Sequence, residues 1–127
     1  MAQVLPNPVV PVSVTVTTKD DGTVDIQCSP NPVPVDALHS LISFSLDTKG
    51  WRFRTTNAVQ LDEPDPDVPF PSWTIAPDQC MLFDLCQTNV TLKYTVNVVN
   101  VLNDAEYSVD PEIKNGDGGP SGTGGNP

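Results

Sequence analysis

The chain has 127 residues and carries 6 Lys and Arg against 16 Asp and Glu, a formal net charge of −10. Such a charge repels a nucleic-acid backbone or an anionic lipid surface at long range, and a single histidine is too few for a His-rich metal site. One domain is the natural count at this length; no run of about 18 apolar residues occurs that would span a membrane, and a Met-Ala-Gln opening with neither a basic nor an apolar stretch predicts a cytoplasmic protein.

Alternation of apolar and polar residues dominates the chain, which predicts strands. Val12, Val14 and Val16 alternate with Ser13, Thr15 and Thr17, and branching at Cβ favours the extended backbone. Lys19-Asp20-Asp21-Gly22 turns the chain, and Val24, Ile26 and Cys28 alternate after it, so these two runs are expected to pair as a hairpin. Ser29-Pro30-Asn31-Pro32-Val33-Pro34 lacks ladder donors and reads as a stiff crossing between sheets. Asp36 to Leu41 has the makings of one helical turn capped by Asp36. Ile42, Phe44 and Leu46, the turn Asp47 to Gly50, and Trp51 with Phe53 read as a second hairpin.

Asp62 to Pro71 is an acidic loop studded with prolines, and Trp73 with Ile75 suggests a short strand near its end. Cys80 to Cys86 has mixed periodicity and no clear assignment. Leu92, Tyr94, Val96 and Val98 form the clearest strand; Asn103-Asp104 turns the chain, and Tyr107 and Val109 lead into Asp110-Pro111-Glu112-Ile113. Pro111 should stop or bulge the last strand, with Ile113 pinning the end of the chain onto the core. Residues 115–127 hold six of the eight glycines, a composition that favours a flexible tail. The expected architecture is all-β: an immunoglobulin-like, two-layer antiparallel β-sandwich over residues 1–114, with six to eight strands, followed by that tail.

Cysteine usage bounds the chemistry further. Three cysteines is an odd number, which with no export signal fits a reduced compartment. Cys28 falls on the inward phase of its strand. Cys80 and Cys86, with five residues between them, are open to an oxidative disulfide but match no zinc knuckle; Cys28, Cys80, Cys86 and His39 are the only ligands for a Cys3His site. Asp62, Glu63, Asp65 and Asp67 crowd into six residues and form the one candidate cation site, for which calcium is the suitable ion. No glycine marks the sharp turn of an EF-hand, so a solvated acidic loop is the plainer reading.

No cofactor is otherwise expected. No Gly-x-Ser-x-Gly elbow, P-loop or dinucleotide glycine pattern is present, and a short sandwich seldom builds a deep cleft, so the chain reads as a non-enzyme. Among the aromatics, Trp51 and Phe53 belong to the core by phase, whereas Phe70 and Trp73, flanked by prolines, are the candidate ligand-binding pair. Flat rings of this kind stack on sugar rings, so carbohydrate is a candidate ligand.

Tyr94-Thr95-Val96-Asn97-Val98, Tyr107 and the run Asp110-Pro111-Glu112-Ile113-Lys114-Asn115, with Trp73 about 20 residues ahead of that strand, resemble the ending of the DP-EP family of small bacterial proteins. The likeness covers Trp73 to Gly116. It implies a compact, single-domain, all-β bacterial protein and brings no activity, cofactor or catalytic residue with it.

The functional expectation is a non-catalytic binding or assembly module of unknown partner. The uncharged strand Val9 to Thr17 lacks the lysines that protect a sheet edge, so self-association through it is one expectation. A calcium-assisted carbohydrate binder is the alternative, and a small carboxylate-dependent hydrolase a more distant one.

Overall fold

A computed structural model describes residues 9–116. Eleven strands occur among them: β1 (Val9–Thr18), β2 (Val24–Ser29), β3 (Val33–Val35), β4 (Ser40–Leu46), β5 (Trp51–Phe53), β6 (Val59–Leu61), β7 (Trp73–Ala76), β8 (Gln79–Asp84), β9 (Val90–Asn100), β10 (Glu106–Val109) and β11 (Glu112–Asn115). They form two sheets that enclose one core, as the alternation predicts. No helix long and apolar enough to cross a membrane occurs among the described residues.

The first sheet has the order β2-β1-β4-β8-β7. The β1–β2 hairpin forms as expected, with Val14 opposite Cys28 and Val16 opposite Ile26, and Gly22 supplies the positive φ of 86° that the turn requires. β1 is not an edge. It pairs on its other side with β4, Val12 lying opposite Phe44, but the two ladders overlap only at Ser13 and Val14: β4 takes Val9 to Val14 and β2 takes Ser13 to Thr18, which leaves Val9 to Val12 without a ladder partner on the β2 side. The β1–β4 pairing is parallel, as is β3 with β11, so the sandwich is mixed rather than wholly antiparallel.

β9 is the spine of the second sheet. β10 and β5 both pair with it at Val98, from opposite edges. β11 takes the stretch opposite Val90 to Lys93, and β6 the stretch opposite Tyr94 to Val96. Pro111 is what separates β10 from β11: the chain loses a ladder donor there and resumes pairing at Glu112. The expected β4–β5 hairpin does not form, because β4 pairs with β1 and β8 while β5 pairs with β9. The turn at Gly50 therefore carries the chain from one sheet to the other. Residues 36–39 make a turn rather than a helix, with His39 at a φ of 56°.

The inward faces meet at Phe44 and Tyr94, whose ring centroids lie 5.7 Å apart across the two layers. Val12, Val14, Ile42, Leu82, Val96, Val98 and Ile113 close around them, each at most 1 % exposed. Burying each such side chain stabilises the fold by about 1.5–3 kcal/mol before chain entropy is charged against it. Asn115 lies inside this domain, not in the tail. It is 2 % exposed, and the next residue, Gly116, donates its N–H to the Val35 carbonyl at 2.7 Å. Residues 117–127, the rest of the expected tail, lie outside the described residues.

Candidate functional site

In the acidic loop Asp62, Glu63 and Asp65 line one surface hollow together with Lys93, whereas Asp67 leaves that group. Asp62 accepts a hydrogen bond from the Thr95 hydroxyl at 2.7 Å, and Asp110 lies 2.8 Å from the same oxygen. Glu63 is exposed. Asp65 takes the Asp67 N–H at 2.9 Å and so shapes the loop locally. Asp67 turns inward and is 2 % exposed. Its carboxylate receives the Gln87 N–H at 3.1 Å, the Thr88 N–H at 3.2 Å, the Thr88 hydroxyl at 2.9 Å and the Asn115 amide at 3.1 Å. Its carbonyl receives the Leu85 N–H at 2.7 Å.

The structure thus does not bring the four predicted calcium ligands to a common point. No group of three His, Cys, Asp or Glu side chains placed to hold a metal occurs among the described residues. Asp67 is an anchor, its oxygens taken up by the donors of the fold. Burial works to raise its pKa, but the Thr88 hydroxyl, the Gln87 and Thr88 N–H groups and the Asn115 amide together hold it below the ordinary aspartate value.

A second carboxylate joins this network that sequence reasoning missed. Asp84, at the inward phase of β8, is fully buried. Its Oδ1 accepts the Cys86 N–H at 2.9 Å and the Asn115 amide at 2.8 Å. The Asn115 amide group therefore bridges two carboxylates, one from the loop and one from β8. Asp84 Oδ2 and Asn115 Oδ1 are enclosed and have no hydrogen-bond partner. Burial pushes the pKa of Asp84 up to about 6, against the hydrogen bonds from Asn115 and Cys86, and the charges of Asp67 and Asp65 raise it further. Nothing in the local sequence marks Asp84 as special; it is one of sixteen acidic residues.

The loop also delivers an aromatic side chain to the outer face of the first sheet. On β8, Cys80 and Leu82 point into the core, which leaves Met81 and Phe83 on the outside. Phe70, from the end of the loop, brings its ring to 6.3 Å from Phe83, and His39 approaches Phe83 from another side at 6.2 Å. Trp73 on β7 sits opposite Met81. Phe70 is 58 % exposed, Trp73 46 % and Ile75 58 %. The predicted pair Phe70 and Trp73 is thus exposed and shares one face, with Met81 and Phe83 between them. Beneath the loop, Val59, Leu61, Val68, Phe70 and Leu82 line a hollow of about 310 Å³, within the lower range of ligand sites.

Among the described residues the cysteine thiols join no metal-holding group, and only Cys86 touches this arrangement, through its backbone N–H to Asp84. Cys28 on β2 and Cys80 on β8 are three strands apart in the sheet, about 14 Å at the usual spacing, so the Cys3His set is dispersed. Cys80 lies within β8 and Cys86 beyond its end, where the Cys86 thiol donates to the Val35 carbonyl at 3.1 Å, so the two are not bridged. All three are free thiols. Burial raises the pKa of each, that of Cys28 to about 11, which leaves them protonated and unreactive at neutral pH.

No family model and no curated protein matches the chain.

Proposed function

We propose that the chain is a non-catalytic binding module, an immunoglobulin-like sandwich whose contact surface is the outer face of β7 and β8 together with Phe70. The observation that supports this reading is the contrast between the two outer faces. The first sheet exposes Phe70, Trp73 and Ile75 beside the half-buried Met81 and Phe83. On the second, Arg54 pairs with Glu106 at 3.3 Å and Arg52 with Asp104 at 3.8 Å, and Lys93 is exposed. Beside the second sheet the exposed apolar side chains are Val101, Leu102 and Tyr107, in the β9–β10 turn and on the edge strand β10, whereas those of the first sheet cluster on its face, the usual mark of a contact surface. Of the three carboxylates with shifted pKa values, Asp67 and Asp84 are sealed from solvent and hold the fold, and Asp21 is an exposed turn residue bonded to Thr23.

The test places a photo-crosslinking phenylalanine analogue at position 73 and, as control, at position 93, in the producing cell. A discrete product at 73 and none at 93 is expected. Equal yields at the two positions, or none at 73, would overturn the reading.

Neutral carbohydrate is a second reading, favoured by the company the rings keep. Gln79 and Ser45 lie on the same outer face and bond to each other at 3.1 Å, offering polar edges beside the aromatic rings. Calorimetry with neutral oligosaccharides is expected to give heat that Trp73→Ser and Phe70→Ser both abolish; heat that survives both substitutions would remove this reading.

A further inference from the structure

We propose that Asp84 is the proton-sensing element of a latch that fastens the acidic loop, and with it Phe70, to the body of the sandwich. For its effect on the contact face, the inference rests on the function proposed above. Three pieces of chain meet at the latch. Asp67 comes from the loop, Asp84 from the end of β8, and Asn115 from the last position of β11; the single Asn115 amide group holds the two carboxylates at 3.1 and 2.8 Å.

The arrangement is short of one proton. Two acceptors, Asp84 Oδ2 and Asn115 Oδ1, are buried without a donor, and leaving such groups unpaired is costly. Two carboxylates also share the enclosure, which disfavours ionising both. A proton on Asp84 answers both defects: it removes one of the two charges and turns Oδ2 from an unpaired acceptor into a donor. The groups facing Asp84 do not supply that donor by other means. The acidic loop presents Asp67 and Asp65, the chain after β8 the Cys86 thiol, β4 the neutral Ser40, and β11 the neutral Asn115. Asp36, from the end of β3, acts on Cys86 and adds another negative charge nearby. Lys114 occupies the opposite, exposed phase of β11 from Asn115.

Loss of the proton sets Asp84 against Asp67, and Asp67 is the loop's anchor. The bonds that depend on it are those from Gln87, Thr88 and Asn115. The loop they secure runs directly into Phe70. With Asp84 protonated the latch is closed and Phe70 is held against Phe83; with Asp84 ionised the loop loosens and the aromatic face loses its fixed shape.

The test reads the latch without any ligand. Carboxyl carbon NMR of the wild-type chain gives the Asp84 titration midpoint, and amide hydrogen exchange gives protection factors at Leu85, Gln87 and Thr88. Protection is expected to fall roughly tenfold or more between about pH 5 and about pH 8, with a midpoint that coincides with Asp84. It should stay level in Asp84→Asn, which keeps the shape without the charge, and fall as before in the His39→Gln control. An unchanged wild-type profile, a midpoint that departs from Asp84, or the same fall in Asp84→Asn would overturn the latch. Should Asp84→Asn fail to fold, the wild-type coincidence of midpoints decides alone. Because no binding partner enters these measurements, a failed latch leaves the contact face standing, and a failed crosslink at position 73 leaves the latch standing.

Discussion

Replacing Asp67 with alanine is expected to destabilise the fold by on the order of 3 kcal/mol at about pH 5, where Asp67 is ionised and Asp84 is not, a large share of the roughly 5–15 kcal/mol that holds a domain together. The substitution removes the acceptor for four donors at once, from Gln87, Thr88 and Asn115, two of them backbone N–H groups. The sign with pH is fixed by the direction of the shift. Asp67 has a pKa held below the ordinary value, so its contribution is present above about pH 4 and is lost as the pH falls through its folded pKa. Urea denaturation of the wild-type and Asp67→Ala chains should therefore show the largest difference near about pH 5, a smaller one where Asp84 is ionised, and a shrinking one in stronger acid. A substitution that costs less than about 0.5 kcal/mol at about pH 5, the size of an ordinary surface change, would mean that Asp67 does not anchor the loop.

That anchoring role explains where sequence reading stops. Four carboxylates within six residues look alike on the page, and the run suggests either a cation site or a solvated loop. What separates Asp67 from Asp62 and Glu63 is contact with Gln87, Thr88 and Asn115, which lie 20 to 48 positions further along the chain. Periodicity, by contrast, is local. Val12 to Val16 and Leu92 to Val98 announce their inward faces without knowledge of a partner, and the two-layer core follows from them. The same locality misleads about edges. β1 is an interior strand of its sheet, paired with β2 along one part and with β4 along another, and that second partner begins more than twenty residues later. Turn chemistry at Gly50 likewise shows that the chain reverses but not that it changes sheets. Asn115 sits at the head of a glycine-rich run and looks like tail by composition, yet its amide is the centre of the buried network. The mixed period of Cys80 to Cys86 has a physical cause too: Asp84 is a charged residue on an inward phase, and the positive φ of 54° at Cys86 ends the strand.

Asp84→Asn carries the opposite expectation from Asp67→Ala, and comparing the two isolates the cost of burying a second charge. In the folded chain Asp84 has a pKa of about 6; in the unfolded chain it should return to about 3.9. Below the unfolded value both states hold the proton, and the residue contributes no pH dependence. As the pH rises toward 6 the unfolded state gives up its proton while the folded state keeps it, so stability declines, and above 6 the loss is complete. A difference of about two pKa units corresponds to up to about 3 kcal/mol. The asparagine variant never carries the charge, and its amide oxygen can accept the same two bonds, from Cys86 and Asn115, that Asp84 Oδ1 receives at 2.9 and 2.8 Å. Asp84→Asn should therefore match the wild type near pH 4 and exceed it at pH 7 and above, by an amount that stops growing beyond about pH 7. Thermal or urea melts across that range measure it. A variant equally stable to the wild type at every pH would show that Asp84 ionises in the folded chain as freely as in water, whereas one that is less stable at neutral pH would show that its negative charge is needed where it lies.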